Sequence, residues 1–341
     1  MKIDRRALLG TLAIAAAPAP KPPPGQAAGP PDTADKPARL LPTRAIPHKS
    51  VDETIPLWPG FPPGTPPDPT LPAPTLRRAG AGGGREYRLK GVAAPGLSVY
   101  RPKQPNGVGL IVMPGGGYAF LSVENEGSAP AAFYTNAGYT VFVLSYRLPA
   151  EGWTDRADAP IQDALRAIRL VRARAADFHL DPKRIGIMGF SAGGHVAASL
   201  ATDYATPLYE PIDAIDREST RPAFVGLLYA VTTMRPLETH SVSRANLLGP
   251  GPDNALVARR SPLLHVGKAT PPCFVACALD DGIVPPSCSL DWIAACRAAG
   301  VPVEGHVFEQ GGHGFGLRLP SGNSGALWPQ LFLLWARRHG G

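Results

Sequence analysis

Along most of the chain, short apolar runs alternate with stretches whose apolar positions recur every three or four residues. Leu110-Ile-Val-Met113 and Thr140-Val-Phe-Val-Leu-Ser-Tyr146 are continuous runs and predict buried strands. Across residues 159–178, Ile161, Leu165, Ile168, Leu170 and Val171 fall on one stripe, which predicts a helix. Asp181-Pro182 interrupts it, and Arg184-Ile-Gly-Ile-Met188 predicts the next strand. Residues 194–201 read as an Ala-rich helix. Residues 224–230, 273–279 and 301–308 read as strands, and 290–299 and 326–338 as helices. This alternation predicts an α/β fold, a mostly parallel sheet with helices on both faces.

Two segments break the alternation. Residues 203–221 and 232–270 are long, polar and rich in Pro and Gly. Such excursions are either plain surface loops or lids over a site.

The N-terminal quarter follows other rules. MKIDRRALLGTLAIAAA places Arg5-Arg6 directly before an apolar stretch, the pattern of a twin-arginine export signal, and residues 1–28 are assigned to it. Residues 18–74 hold 19 of the 41 prolines, and proline suits neither a helix interior nor a central strand. Residues 29–84 therefore read as a linker and docking arm, with Ile55, Leu57 and Trp58 docking on the body. Residues 79–84 (AGAGGG) read as a flexible junction. The remaining 257 residues, 85–341, suffice for one large α/β domain.

Composition removes several function classes. Hydrophobic residues make up 44% of the chain, too many for disorder throughout. The net charge of +7 falls to about +4 without the export segment, and the arginines are scattered, which argues against a nucleic-acid partner. Beyond the N-terminus no apolar run is long enough for stable membrane insertion. Four cysteines, all after residue 272, are too few for a disulfide scaffold. No Cys/His spacing for zinc and no nucleotide-loop pattern is present, so no metal or cofactor is expected. No sequence feature bears on the oligomeric state.

The chemistry concentrates at four places. Gly189-Phe-Ser-Ala-Gly193 follows a strand and precedes a helix, the setting of a nucleophile elbow presenting Ser191. Glycine on either side allows the close approach such a turn requires. Pro114-Gly-Gly-Gly-Tyr118 follows another strand and suits an oxyanion loop, with N–H groups of Gly116 or Gly117 joined by that of Ala192. Asp281 and His313 lie on loops after strands, in the chain order Ser, Asp, His. Asp281 would orient His313, and His313 would take the Ser191 proton. Asp280 reads as a partner of the local backbone. His195 reads as a residue that caps or packs near the first turn of the helix, and His306 as a packed or surface residue of its strand. His48, His179, His240, His265 and His339 carry no partner motif.

These motifs resemble the α/β-hydrolase superfamily, and within it secreted bacterial serine esterases of the acetyl-xylan esterase kind. The resemblance runs from about Leu57 to Phe315. It rests also on Leu57-Trp-Pro-Gly60, Glu126-Gly127, Tyr146-Arg-Leu148, Asp163 with Arg166, Ser261-Pro262, Asp281-Gly-Ile-Val-Pro285 and Gly312-His-Gly-Phe315. It implies an α/β-hydrolase fold with Ser191, Asp281 and His313 as the triad. The substrate it implies is a small-molecule or carbohydrate ester with a short acyl group, such as acetylated xylan, met in the periplasm or outside the cell. Glu126 and Arg147 are expected to be structural partners. Two alternatives are a prolyl-oligopeptidase-like serine peptidase, which would normally need a larger second domain, and a general short-chain aryl or alkyl esterase. A catalytically silent sugar-binding relative would lack a triad member, and none is missing.

Overall fold

The computed structural model describes residues 50–67, 73–79 and 86–341. The expected export signal at 1–28, the linker up to residue 49 and the junction at 80–84 lie outside the described residues.

The elements in chain order are β1 (Glu53–Pro56), β2 (Thr75–Ala79), β3 (Glu86–Lys90), β4 (Gly96–Tyr100), β5 (Gly109–Met113), β6 (Leu121–Ser122), α1 (Ala129–Asn136) and β7 (Thr140–Ser145). They continue with α2 (Ala159–Ala173), β8 (Ile185–Phe190), α3 (Ser191–Asp203), β9 (Val225–Leu228), α4 (Ser241–Leu248) and α5 (Asn254–Arg259). The last four are β10 (Cys273–Ala278), α6 (Ser287–Ala298), β11 (Val303–Phe308) and α7 (Trp328–Ala336).

Eight strands form the central sheet in the order β1-β4-β7-β5-β8-β9-β10-β11. The pairs β1·β4 and β4·β7 are antiparallel, and every pair from β7 to β11 is parallel. Alternate residues of each strand serve opposite faces. Ile111 and Met113 of β5 join the core under α2, α3 and α6, with Ile161, Val196 and Trp292. Leu110 and Val112 join the other, under α1 and α7, with Phe133, Phe332 and Trp335. Burial on both faces is why these strands read as unbroken apolar runs. A small antiparallel sheet, β2-β3-β6, lies apart from the large one.

The expected boundary at residue 85 does not hold. β1 is an edge strand of the central sheet, pairing Ile55 with Leu97 of β4, and Leu57 and Trp58 are core residues. The docking was foreseen, but its form was not. Proline at strand ends and at an edge loses no ladder hydrogen bond, so a Pro-rich segment can still supply β1. An ion pair fixes the arm. Asp163 of α2 accepts from Trp58 Nε1 at 2.9 Å and from the backbone and Nε of the fully buried Arg147.

The two excursions part ways. Residues 203–221 pack along α2, where Gln162 Nε2 donates to the Leu208 carbonyl and Arg166 pairs with Asp213 and Asp216. Residues 232–270 fold into α4 and α5 and reach the carboxyl end of the sheet.

Candidate active site

β8 runs straight into α3, and Ser191 is the hinge between them, with φ of +51°. A non-glycine residue there costs of order 1–3 kcal/mol, which the packing around it must offset. That packing is close. A Cβ on Gly189 would stand 2.3 Å from the Gly193 carbonyl oxygen, and one on Gly193 2.1 Å from that of Met113. Only glycine fits at either position. The helix begins at the serine itself, three residues earlier than its sequence pattern suggests, because Ala192, Gly193 and Gly194 are drawn into its first turn.

The structure brings the three predicted side chains together. His313 Nε2 lies 2.9 Å from Ser191 Oγ, and His313 Nδ1 lies 2.7 Å from Asp281 Oδ2. A carboxylate only accepts, so Nδ1 carries the ring proton and Nε2 is left to accept from the serine hydroxyl. The other Asp281 oxygen accepts from the backbone N–H groups of Ile283 and Val284, both at 2.9 Å. Asp280 does the local work expected of it. Its Oδ1 accepts from Gly311 and Gly312 N–H at 2.9 and 2.8 Å, which anchors the loop carrying His313.

The glycine loop abuts the serine. A Cβ on Gly115 would fall 2.9 Å from that of Ser191. Gly116, Gly117 and Tyr118 follow with φ of +128°, +62° and +60°. The Gly116 carbonyl accepts from Ala119 and Phe120, while among the described residues no acceptor engages the N–H of Gly116 or Gly117. Ala192 stands in the first turn of α3, where N–H groups have no intrahelical acceptor. The predicted donors thus lie on the loop that abuts Ser191 at Gly115 and on the residue directly after Ser191.

Three side chains brace this loop from behind. Glu126 Oε2 accepts from Gly115 N–H at 2.7 Å, and its Oε1 accepts from the Tyr229 hydroxyl at 2.9 Å. Burial raises the Glu126 carboxyl, an effect opposed by these two hydrogen bonds and by the nearby charge of His313. The Tyr118 hydroxyl bonds His195 Nδ1 at 2.7 Å, and His195 Nε2 bonds the Arg260 carbonyl at 2.8 Å. Burial lowers His195 to about 4, so the ring is neutral. Asn246 of α4 donates to the Gly117 carbonyl at 2.8 Å. The structural reading of Glu126 matches this arrangement, and His195 packs rather than caps.

His240 is the residue the sequence did not point to. It lies at the head of α4, with Cε1 3.5 Å from where a Cβ on Gly117 would stand. A lone histidine in a polar excursion carries no pattern, so no local signal could have singled it out. His306 pairs with Glu304 on β11. Among the described residues no group of three or more His, Cys, Asp or Glu side chains is gathered for a metal ion. All four cysteines are buried and free.

The sequence pattern of the BD-FAE family matches residues 97–294. Endo-1,4-beta-xylanase B of Butyrivibrio fibrisolvens is 35% identical over 210 residues, 60% of this chain and 32% of that protein. The acetylxylan esterase of Xylanibacter ruminicola is 34% identical over 221 residues, 64% of this chain and 43% of that protein. The chain thus spans less than half the length of these two curated relatives. Among solved structures, the acetyl ester-xyloside bifunctional hydrolase of Caldicellulosiruptor lactoaceticus is 33% identical with a TM-score of 0.67. That match covers 83% of this chain and 96% of the other. The carboxylesterase Cest-2923 of Lactobacillus plantarum is 25% identical, covers 79% of this chain and 98% of its own, and has a TM-score of 0.61. A matched pattern spanning more than half the chain, on a sheet that ends in a strand, serine and helix, makes this chain a member of the BD-FAE family with an α/β-hydrolase fold.

Proposed function

We propose that the protein is a serine carboxylic ester hydrolase that removes short acyl groups, acetyl above all, from carbohydrate esters such as acetylated xylan. The observation that carries this reading is the line from Asp281 through His313 to Ser191 beside unspent N–H donors. The names of the xylanase, acetylxylan esterase and acetyl ester-xyloside hydrolase relatives support the substrate class.

The reaction follows from the hydrogen bonds. Ser191 Oγ attacks the ester carbonyl carbon as its proton passes to His313 Nε2. Charge collects on the carbonyl oxygen, where the N–H groups of Gly116 or Gly117 and Ala192 receive it. Asp281 stabilises the imidazolium. His313 then gives the proton to the leaving alkoxide, and the acyl group stays on Ser191. Water repeats the sequence and releases the acid.

The Arg5-Arg6 segment supports export before this chemistry takes place. Substitution of both arginines by lysine should retain the protein in the cytoplasm on cell fractionation.

The deciding assay is acetate release from acetylated xylan, with Ser191→Ala as the blank. Release that disappears in the variant, with an unchanged melting temperature, supports the deacetylase. No release from xylan, but turnover of aryl or alkyl acetates, would replace the carbohydrate ester by a simple one. Activity that survives Ser191→Ala would overturn the serine mechanism.

A further inference from the structure

His240 sits at the N-cap of α4, a position that favours Ser, Thr, Asp or Asn, yet its side chain caps nothing. Its Nδ1 is instead 2.8 Å from Oγ of the buried Ser243. Among the described residues the other ring nitrogen, Nε2, has no partner, and the ring is half-buried. It stands close enough to His313 and Asp281 to feel their charge, and its Cε1 lies 3.5 Å from where a Cβ on Gly117 would stand. The helix behind it is held in place. Asn246 grips the Gly117 carbonyl, Arg156 Nε donates to the Asn246 carbonyl at 3.0 Å, and Arg244 Nε donates to that of Met234 at 2.9 Å. A polar ring is thus fixed at one nitrogen and open at the other, at the rim of the site.

We propose that His240 Nε2 is a hydroxyl-binding subsite, which hydrogen-bonds a free hydroxyl on the alcohol half of the ester. The inference rests on the esterase reading and narrows it to acetates of sugars or polyols, whose alcohols carry a hydroxyl near the ester. An acetyl methyl would gain nothing from an imidazole, whereas a neighbouring hydroxyl can exchange a hydrogen bond with it. The Ser243 contact supplies the pre-organisation, since it fixes the ring before substrate arrives.

The test compares kcat/KM for three substrates: a monoacetylated xylo-oligosaccharide, glycerol monoacetate and 4-nitrophenyl acetate, whose alcohol has no free hydroxyl. In His240→Ala the ratio of either hydroxylated acetate to the aryl acetate should fall about tenfold, the worth of one hydrogen bond. His240→Gln, which keeps a donor and an acceptor, should recover part of that ratio, and Ser243→Ala should lower it by less. An unchanged ratio overturns the inference, whether both activities drop together or neither does. Wild-type cleavage of glycerol monoacetate but not of the xylo-oligosaccharide would end the xylan reading while leaving His240 to be judged on the smaller substrate. Cleavage of the aryl acetate alone would overturn the subsite and leave Ser191 chemistry standing.

Discussion

The Tyr229 hydroxyl donates to Glu126 Oε1 at 2.9 Å and accepts from Gly316 N–H at 3.1 Å, so one residue at the end of β9 ties the brace of the glycine loop to the loop of His313. Its ring also meets that of His313 edge-on, with centroids 5.0 Å apart. Glu126 completes the link by holding Gly115 N–H. Ser191, His313 and the glycine loop come from separate segments, and this buried acid with its phenol keeps the last two in register.

Glu126→Ala should lower kcat by about 10- to 100-fold with little change in KM, because a loosened donor loop matters most when charge develops on the oxygen. Steady-state kinetics on an aryl acetate would show this, and a rise in KM at constant kcat would refute it.

The same carboxyl should leave a mark on stability. Burial raises it, so the folded protein holds that proton more tightly than the unfolded chain does. The resulting contribution is present in acid and is lost as pH climbs through the raised value. Glu126→Gln does not titrate, so its stability relative to wild type should increase with pH. Urea midpoints taken across the acid to neutral range would test this, and a constant difference would count against it.

His195 acts in the opposite sense. Its folded-state value of about 4 lies below the ordinary 6.5, so the unfolded chain takes up its proton first. The stability it contributes is full above pH 6.5 and is lost as pH falls toward 4, a range worth roughly 3 kcal/mol for a fully buried ring. His195→Gln should flatten acid denaturation over that window, and an unaltered profile would assign the acid sensitivity to other groups.

Two adjacent aspartates should behave very differently. Asp281→Asn removes the acceptor that sets the His313 tautomer and should cost on the order of 10⁴ in kcat. Asp280→Asn retains an oxygen for Gly311 and Gly312 N–H, so its loss should be smaller by orders of magnitude. Equal losses would mean that the hydrogen-bond assignment between Asp281 and His313 is wrong.

Arg147→Ala leaves Asp163 charged, buried and missing its guanidinium partner. Breaking a buried pair in this way typically costs about 3–5 kcal/mol. Chemical denaturation should show that loss, and Arg147→Lys should recover little, since an ammonium cannot reproduce the fork to Asp163, Gln162 and the Ala159 carbonyl. A loss under 1 kcal/mol would mean that water reaches the pair.

The strands β5, β7, β8 and β10, the helix α2 and the elbow at Ser191 were legible in the sequence because each is specified locally. An apolar run marks a strand buried on both faces, a three-to-four-residue period marks a helix face, and paired glycines mark a turn too tight for a Cβ. Ser191, Asp281 and His313 could be singled out because each follows a predicted strand, and a parallel sheet brings its strand ends to one edge. Tertiary structure alone decided what depends on distant segments. β1 joins the sheet through Ile55 and Leu97, a pairing invisible in a Pro-rich stretch. Glu126, which holds Gly115 N–H, is itself held by the distant Tyr229 hydroxyl. His240 meets Gly117 because residues 232–270 fold back over the sheet edge. Glu126 meets Tyr229 across 103 residues of chain, and no local pattern records such a contact.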